Sequence, residues 1–87
     1  MKLTKVESIK YHRNGVGGVG FFVVIGTWKE GRESHRMMVQ VFPDGENIPS
    51  HYSCIDLDDP TARWRGDHFV DAAWKAVRER KADEVYS

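Results

Sequence analysis

Val19-Gly20-Phe21-Phe22-Val23-Val24-Ile25-Gly26-Thr27-Trp28 is the stretch on which the fold turns. Side chains alternate across a strand, so Val19, Phe21, Val23 and Ile25 fall on one face and Phe22, Val24 and Trp28 on the other. Both faces are apolar. That pattern predicts a central strand, or one covered by a helix on one face and by a partner on the other. Its unbroken apolar run, residues 21–25, is strand-sized and far short of the roughly 18 residues a membrane span needs.

Working outward, residues 3–13 read as a weaker strand. Leu3, Ile9 and Tyr11 share a face while Val6 falls on the other, a mismatch that predicts a bulge or an edge position. Asn14-Gly15 between the two runs is a strong hairpin signal, because both residues accept positive φ. On the other side, Lys29-Glu30-Gly31-Arg32-Glu33 is polar with a glycine suited to the left-handed region, which predicts a second hairpin. Residues 36–42 follow as a third strand, Met37, Val39 and Val41 alternating with Met38, Gln40 and Phe42. Pro43-Asp44-Gly45 fits a turn, and residues 51–57 a short fourth strand.

The remainder reads as helix. Asp59-Pro60 supplies an N-cap and a proline at the first helical position. Gly66 interrupts, and Asp67 caps a longer helix over residues 68–81. Phe69, Val70, Ala73, Trp74 and Val77 form its apolar stripe at 3.6 spacing. Asp71 in the first turn and Arg78, Arg80 and Lys81 in the last complement the helix dipole, and Asp71 with Lys75 makes an i,i+4 pair. The sequence therefore predicts one α+β domain spanning residues 1–87: an antiparallel β-meander of three to four strands with one C-terminal amphipathic helix on one face.

The net charge of zero is a cancellation. Residues 1–42 hold seven Lys/Arg against three Glu, and residues 43–87 hold six against ten Asp/Glu, giving +4 and −4. Strong nucleic-acid binders carry a net basic excess, which this chain lacks. Cys54 is the single cysteine, so no internal disulfide forms and a reducing, cytoplasmic setting is expected. The opening Met-Lys-Leu-Thr-Lys-Val-Glu has no apolar core or cleavage site of a signal peptide.

Several motifs carry chemistry elsewhere. Gly15-Val16-Gly17-Gly18-Val19-Gly20 matches G-x-G-x-x-G, but the dinucleotide fingerprint needs a helix after the glycines and here a strand follows. Cys54 and His51 are three apart on a strand and so point to opposite faces, which leaves no local thiol–base pair. Asp56, Asp58 and Asp59 lie near His51 and His68, yet lack the glycine and the twelfth-position glutamate of a calcium loop. Arg65-Gly66-Asp67 spells the tripeptide integrins read, in a chain with no export signal. A small metal- or thiol-dependent enzyme is thus an alternative without a constellation to carry it, and no cofactor or metal is expected.

Two readings remain. Tyr11, Phe22, Trp28 and Phe42 beside Lys10, Arg13, Lys29 and Arg36 are the materials of a sheet platform for single-stranded nucleic acid. Arg63-Trp64-Arg65, preceded by Asp56, Asp58 and Asp59, sets an aromatic anchor between guanidinium groups and beside carboxylates, the composition of a protein interface. The stretch Trp64-Arg65-Gly66-Asp67-His68-Phe69, feeding an alanine-rich helix after a short meander, resembles small accessory proteins carried by phages and mobile elements. That resemblance covers the last third of the chain. It implies a stand-alone adaptor or inhibitor that binds a larger host or phage protein, as anti-defence proteins do. The expectation is a non-enzymatic protein-binding module with Arg63, Trp64, Arg65, Asp56, Asp58 and Asp59 as its contact residues, and nucleic-acid binding as the alternative.

Overall fold

Leu3, Val6 and Ile9 are spaced by three, which on a regular strand splits them between two faces. In the computed structural model of the chain they share one. The structure describes residues 2–13, 20–42, 54–62, 67–80 and 84–86, with 67, 68 and 84–86 as backbone. The first strand, β1 (Lys2–His12), pairs antiparallel with β2 (Phe21–Glu30), and its register slips between Leu3 and Lys5 and again between Val6 and Ser8. Each slip inserts one extra residue, Thr4 and then Glu7. The alternation is reset twice, and Leu3, Val6 and Ile9 all reach the core. The Thr4 hydroxyl donates back to the Thr27 carbonyl at 3.2 Å, tying the first bulge to β2.

β2 pairs antiparallel with β3 (Glu33–Val41) from Phe22↔Val41 to Glu30↔Glu33. Gly31 turns this hairpin at φ +59°, so the polar stretch predicted as a five-residue loop is strand almost to its tip. Glycine as the first of two turning residues matches the right-handed twist of the flanking strands. β4 (Cys54–Asp56) adds antiparallel to β3, and residues 51–53 of the predicted strand lie outside the described residues. The helix, α1 (Asp67–Arg80), crosses the sheet, and β5 (Glu84–Tyr86) returns on the far edge, parallel to β1. The order is β4-β3-β2-β1-β5. The predicted four-strand antiparallel meander with its C-terminal helix is present; the short parallel β5 is an addition, three residues being too few to show a period.

α1 packs on one face only. Against it stand Val24 and Trp28 of β2, Met37, Val39 and Val41 of β3, and Ile9 of β1, each fully buried or nearly so. Phe69, Val70, Ala73 and Val77 are the buried helix residues among those whose side chains are described. Trp28 meets Phe69 edge-on at 5.9 Å between centroids, an arrangement worth about 0.5–1.5 kcal/mol beyond the area it buries. Trp74, predicted as core, is half-buried at the rim: Phe22 lies 6.3 Å from its ring and the Arg78 guanidinium 5.9 Å. Lys75 Nζ stands 4.0 Å from Glu79 rather than pairing with Asp71. Asp59 caps a turn at the start of the predicted first helical stretch, whose residues 63–66 lie outside the described residues: its Oδ1 accepts from Thr61 N at 3.3 Å and Thr61 Oγ1 at 2.7 Å, and its carbonyl from Ala62 N at 3.0 Å. The glycine loop at residues 14–19, the Pro43-Asp44-Gly45 turn and the capping side chain of Asp67 lie outside the described residues.

Candidate functional site

With α1 on one side, every second side chain of the sheet points to the other. A row crosses that open face from Ser8 to Ile25 to Met38 to Ile55, one residue from each of four strands in register. Phe21 continues it along β2 past Val23, which is itself buried at 8% exposed. Ile55 is 41% exposed, the large hydrophobic most open to solvent among the described residues, and no described helix or strand lies over the row. At the end of the face near residues 12 and 21, the His12 and Phe21 rings stack at 4.9 Å and 12°, and Phe42 tilts against Phe21 at 6.0 Å.

The charge on this face is segregated. Lys2, Lys5 and Lys29 are exposed at its opposite end, Lys2 directly across from Lys29. Between them and the apolar row sits Arg36, whose Nε donates to Glu7 Oε2 at 2.8 Å and whose Nη2 donates to Glu7 Oε1 at 3.2 Å. This bidentate pair uses the residue that the second bulge inserts. The hydrogen bond from Arg36 holds the Glu7 carboxyl below its ordinary value, and Glu7 in turn raises Arg36. On the β4 side the turn after Ile55 puts Asp58 and Asp59 in solvent, with Asp58 close enough to raise Arg36 further. The face therefore has an apolar centre, lysines along one border and carboxylates along another.

Asp56 belongs elsewhere. It is 5% exposed and faces the helix side, level with Met37. Its Oδ1 accepts from the backbone N–H of Asp58 at 3.0 Å and of Asp59 at 3.1 Å, and its Oδ2 lies 3.6 Å from His35 Nδ1. It shapes the acidic turn from within and is not available to a partner, so the expected contact set loses it. Asp58 and Asp59 are on the surface as expected. Arg63, Trp64 and Arg65 lie outside the described residues.

The aromatic set divides in the same way. Trp28 is fully buried under α1, and Tyr11 and Phe22, 4.6 Å apart, are on its side of the sheet. Phe42 is the one of the four on the open face. Of the rings that join it, Phe21 was legible in the alternation of residues 19–28, which set it opposite Phe22, whereas His12 reaches the cluster through its pairing with Phe21. Cys54 is buried and belongs to no disulfide, and among the described residues no group of three metal-binding side chains comes together. No described helix is long and apolar enough to cross a membrane.

No protein-family model, curated protein or solved structure matches the chain. The open face therefore has to be read on its own chemistry.

Proposed function

We propose that the chain is a non-enzymatic protein-binding module whose contact surface is the open face of the sheet. One observation carries the reading: the Ile25–Met38–Ile55 row lies in register across three strands with no described element over it. An apolar centre inside a polar rim is the anatomy of a protein interface. The rim here carries both signs, Lys2, Lys5 and Lys29 on one border and Asp58 and Asp59 on another, which suits a protein surface of mixed charge. A polyanion would be repelled at the second border. The chain acts in this reading as an accessory or inhibitor protein that works in the cytoplasm by occupying the surface of a larger protein, and Cys54 is a packing residue there.

The ring cluster favours a second reading. His12, Phe21 and Phe42 beside Lys10 offer π-faces to unpaired bases, each stack contributing about 1–3 kcal/mol. Affinity capture from the native host, with and without nuclease, separates the two, followed by reconstitution of the captured protein from purified components. A protein partner retained after nuclease, and held with little dependence on salt, supports the first. Retention abolished by nuclease, with log K falling steeply against log[salt], replaces it with the second.

A further inference from the structure

A second feature of the sheet lies on the far side of β1 from β2. Beyond β2, the described partner of β1 is β5 alone, and their pairing is three residues long: Lys10↔Glu84, Tyr11↔Val85 and His12↔Tyr86. Parallel pairing is slightly weaker per residue than antiparallel, and a strand held by three pairs sits at the low end of local stability. α1 ends beside this edge, where Arg80 Nη1 donates to the Val6 carbonyl at 3.2 Å. Three residues, 81–83, then connect the helix to β5.

The edge thus accepts an extended strand, and the chain shows what chemistry it accepts. Glu84-Val85-Tyr86 sets an acidic residue level with Lys10, a β-branched residue level with Tyr11 and an aromatic residue level with His12. Arg13, exposed just past β1, and Arg80 make the surroundings basic. We propose that the Lys10–His12 edge is a strand-acceptor site that β5 fills in cis. An extended partner segment of the same acidic–branched–aromatic chemistry displaces β5 and joins the sheet there. This inference rests on the protein-binding reading but uses a different surface from the open face. Main-chain hydrogen bonds would supply affinity and the alternating side chains specificity. A tether of three residues gives β5 a high effective concentration, so it excludes weak competitors and yields to a longer strand that makes more ladder bonds.

The test uses a labelled peptide with the chain's own sequence Asp-Glu-Val-Tyr-Ser, residues 83–87. It is titrated against the wild-type chain and two full-length variants: Val85→Pro, which removes a donor from β5, and Glu84→Lys, which sets like charges level with each other. Both variants are expected to bind the peptide about tenfold tighter than wild type, having lost the competing strand. A scrambled peptide should not bind. Folded variants that bind no tighter than wild type, equal binding of the scrambled peptide, or variants that only dimerise, would each overturn the proposal. Hydrogen exchange on the unmodified chain keeps the test decisive should either variant fail to fold. Excess peptide should speed exchange at 84–86 while 10–12 stay protected, and unchanged exchange at 84–86 would also overturn it. Substitutions on the open face leave this assay untouched, so the two surfaces fail separately.

Discussion

The carbonyl oxygen of Lys5 lies where a side chain on Gly26 would begin. The bulges press the β1 backbone against β2 at this point, with Val6 paired to Gly26. Leu3 crowds the same space from the core side. Glycine is required here by a close approach of backbone, not by an unusual φ.

Gly26→Ala should therefore destabilise the domain by about 2 kcal/mol or more, within the range of overpacked cores, because the obstacle is main chain and cannot swing aside. Gly31→Ala should cost about 1 kcal/mol for a different reason, its positive φ, since nothing stands near its missing Cβ. Urea melts of the two variants check the order. A milder effect at Gly26 than at Gly31 would mean that the bulge relaxes freely.

The Arg36–Glu7 pair gives a pH dependence with a definite sign. The Glu7 carboxyl is held below its ordinary value of 4.5 in the folded chain, so the folded state favours the ionised form. Its contribution to stability is present above the unfolded value and is lost as pH falls through the lowered folded value. Glu7→Gln should be less stable than wild type at neutral pH, and the gap should close on the acid limb. The pair is open to solvent, so added salt should narrow the gap as well. A gap that widens with acid would contradict the pairing.

Much of the fold was legible because its signals are local and redundant. Residues 19–28 alternate cleanly, Gly31 marks its turn, and the stripe from Phe69 to Val77 has helical spacing. The mismatch at Val6 pointed to a bulge, but two bulges, and the glycine that accommodates one of them, depend on how β1 lies against β2. The candidate site was harder. Asp56, Asp58 and Asp59 look alike in sequence, and the difference is set by where β4 ends and which face its last residue takes. Asp56 falls level with buried Met37, whereas Asp58 and Asp59 follow the strand's end into solvent. Trp28 and Phe42 likewise differ in strand parity, one sealed under α1 and the other half-buried on the opposite face.

Asp56 and its neighbours should respond accordingly. Asp56→Ala leaves two amides of the turn without their acceptor and should cost about 1–3 kcal/mol. Asp58→Ala should stay within about 0.5 kcal/mol of wild type, as surface changes do. Chemical denaturation of the pair decides, and equal losses would show that the turn does not depend on the buried carboxylate.

The two helix rings should separate in the same way. Phe69→Ala removes a fully buried ring from beneath Trp28 and should cost about 3–5 kcal/mol, enough to unfold much of a domain this small. Trp74→Ala, at the rim, should cost distinctly less and leave a cooperative melt. Thermal unfolding followed by far-UV circular dichroism reads both, and a larger loss at Trp74 would mean that the core is centred on that ring and not on Phe69.

The protein-binding reading stands or falls on Ile55. Its side chain is 41% exposed at the end of the apolar row, so Ile55→Lys should hardly alter the melting temperature. Calorimetric titration of purified Ile55→Lys against the protein captured by the wild-type chain is the direct measurement. The expected affinity is at least about tenfold weaker than wild type, a loss of about 1.4 kcal/mol, with folding intact. Unchanged affinity in the folded variant would contradict it and remove the open face as the contact surface.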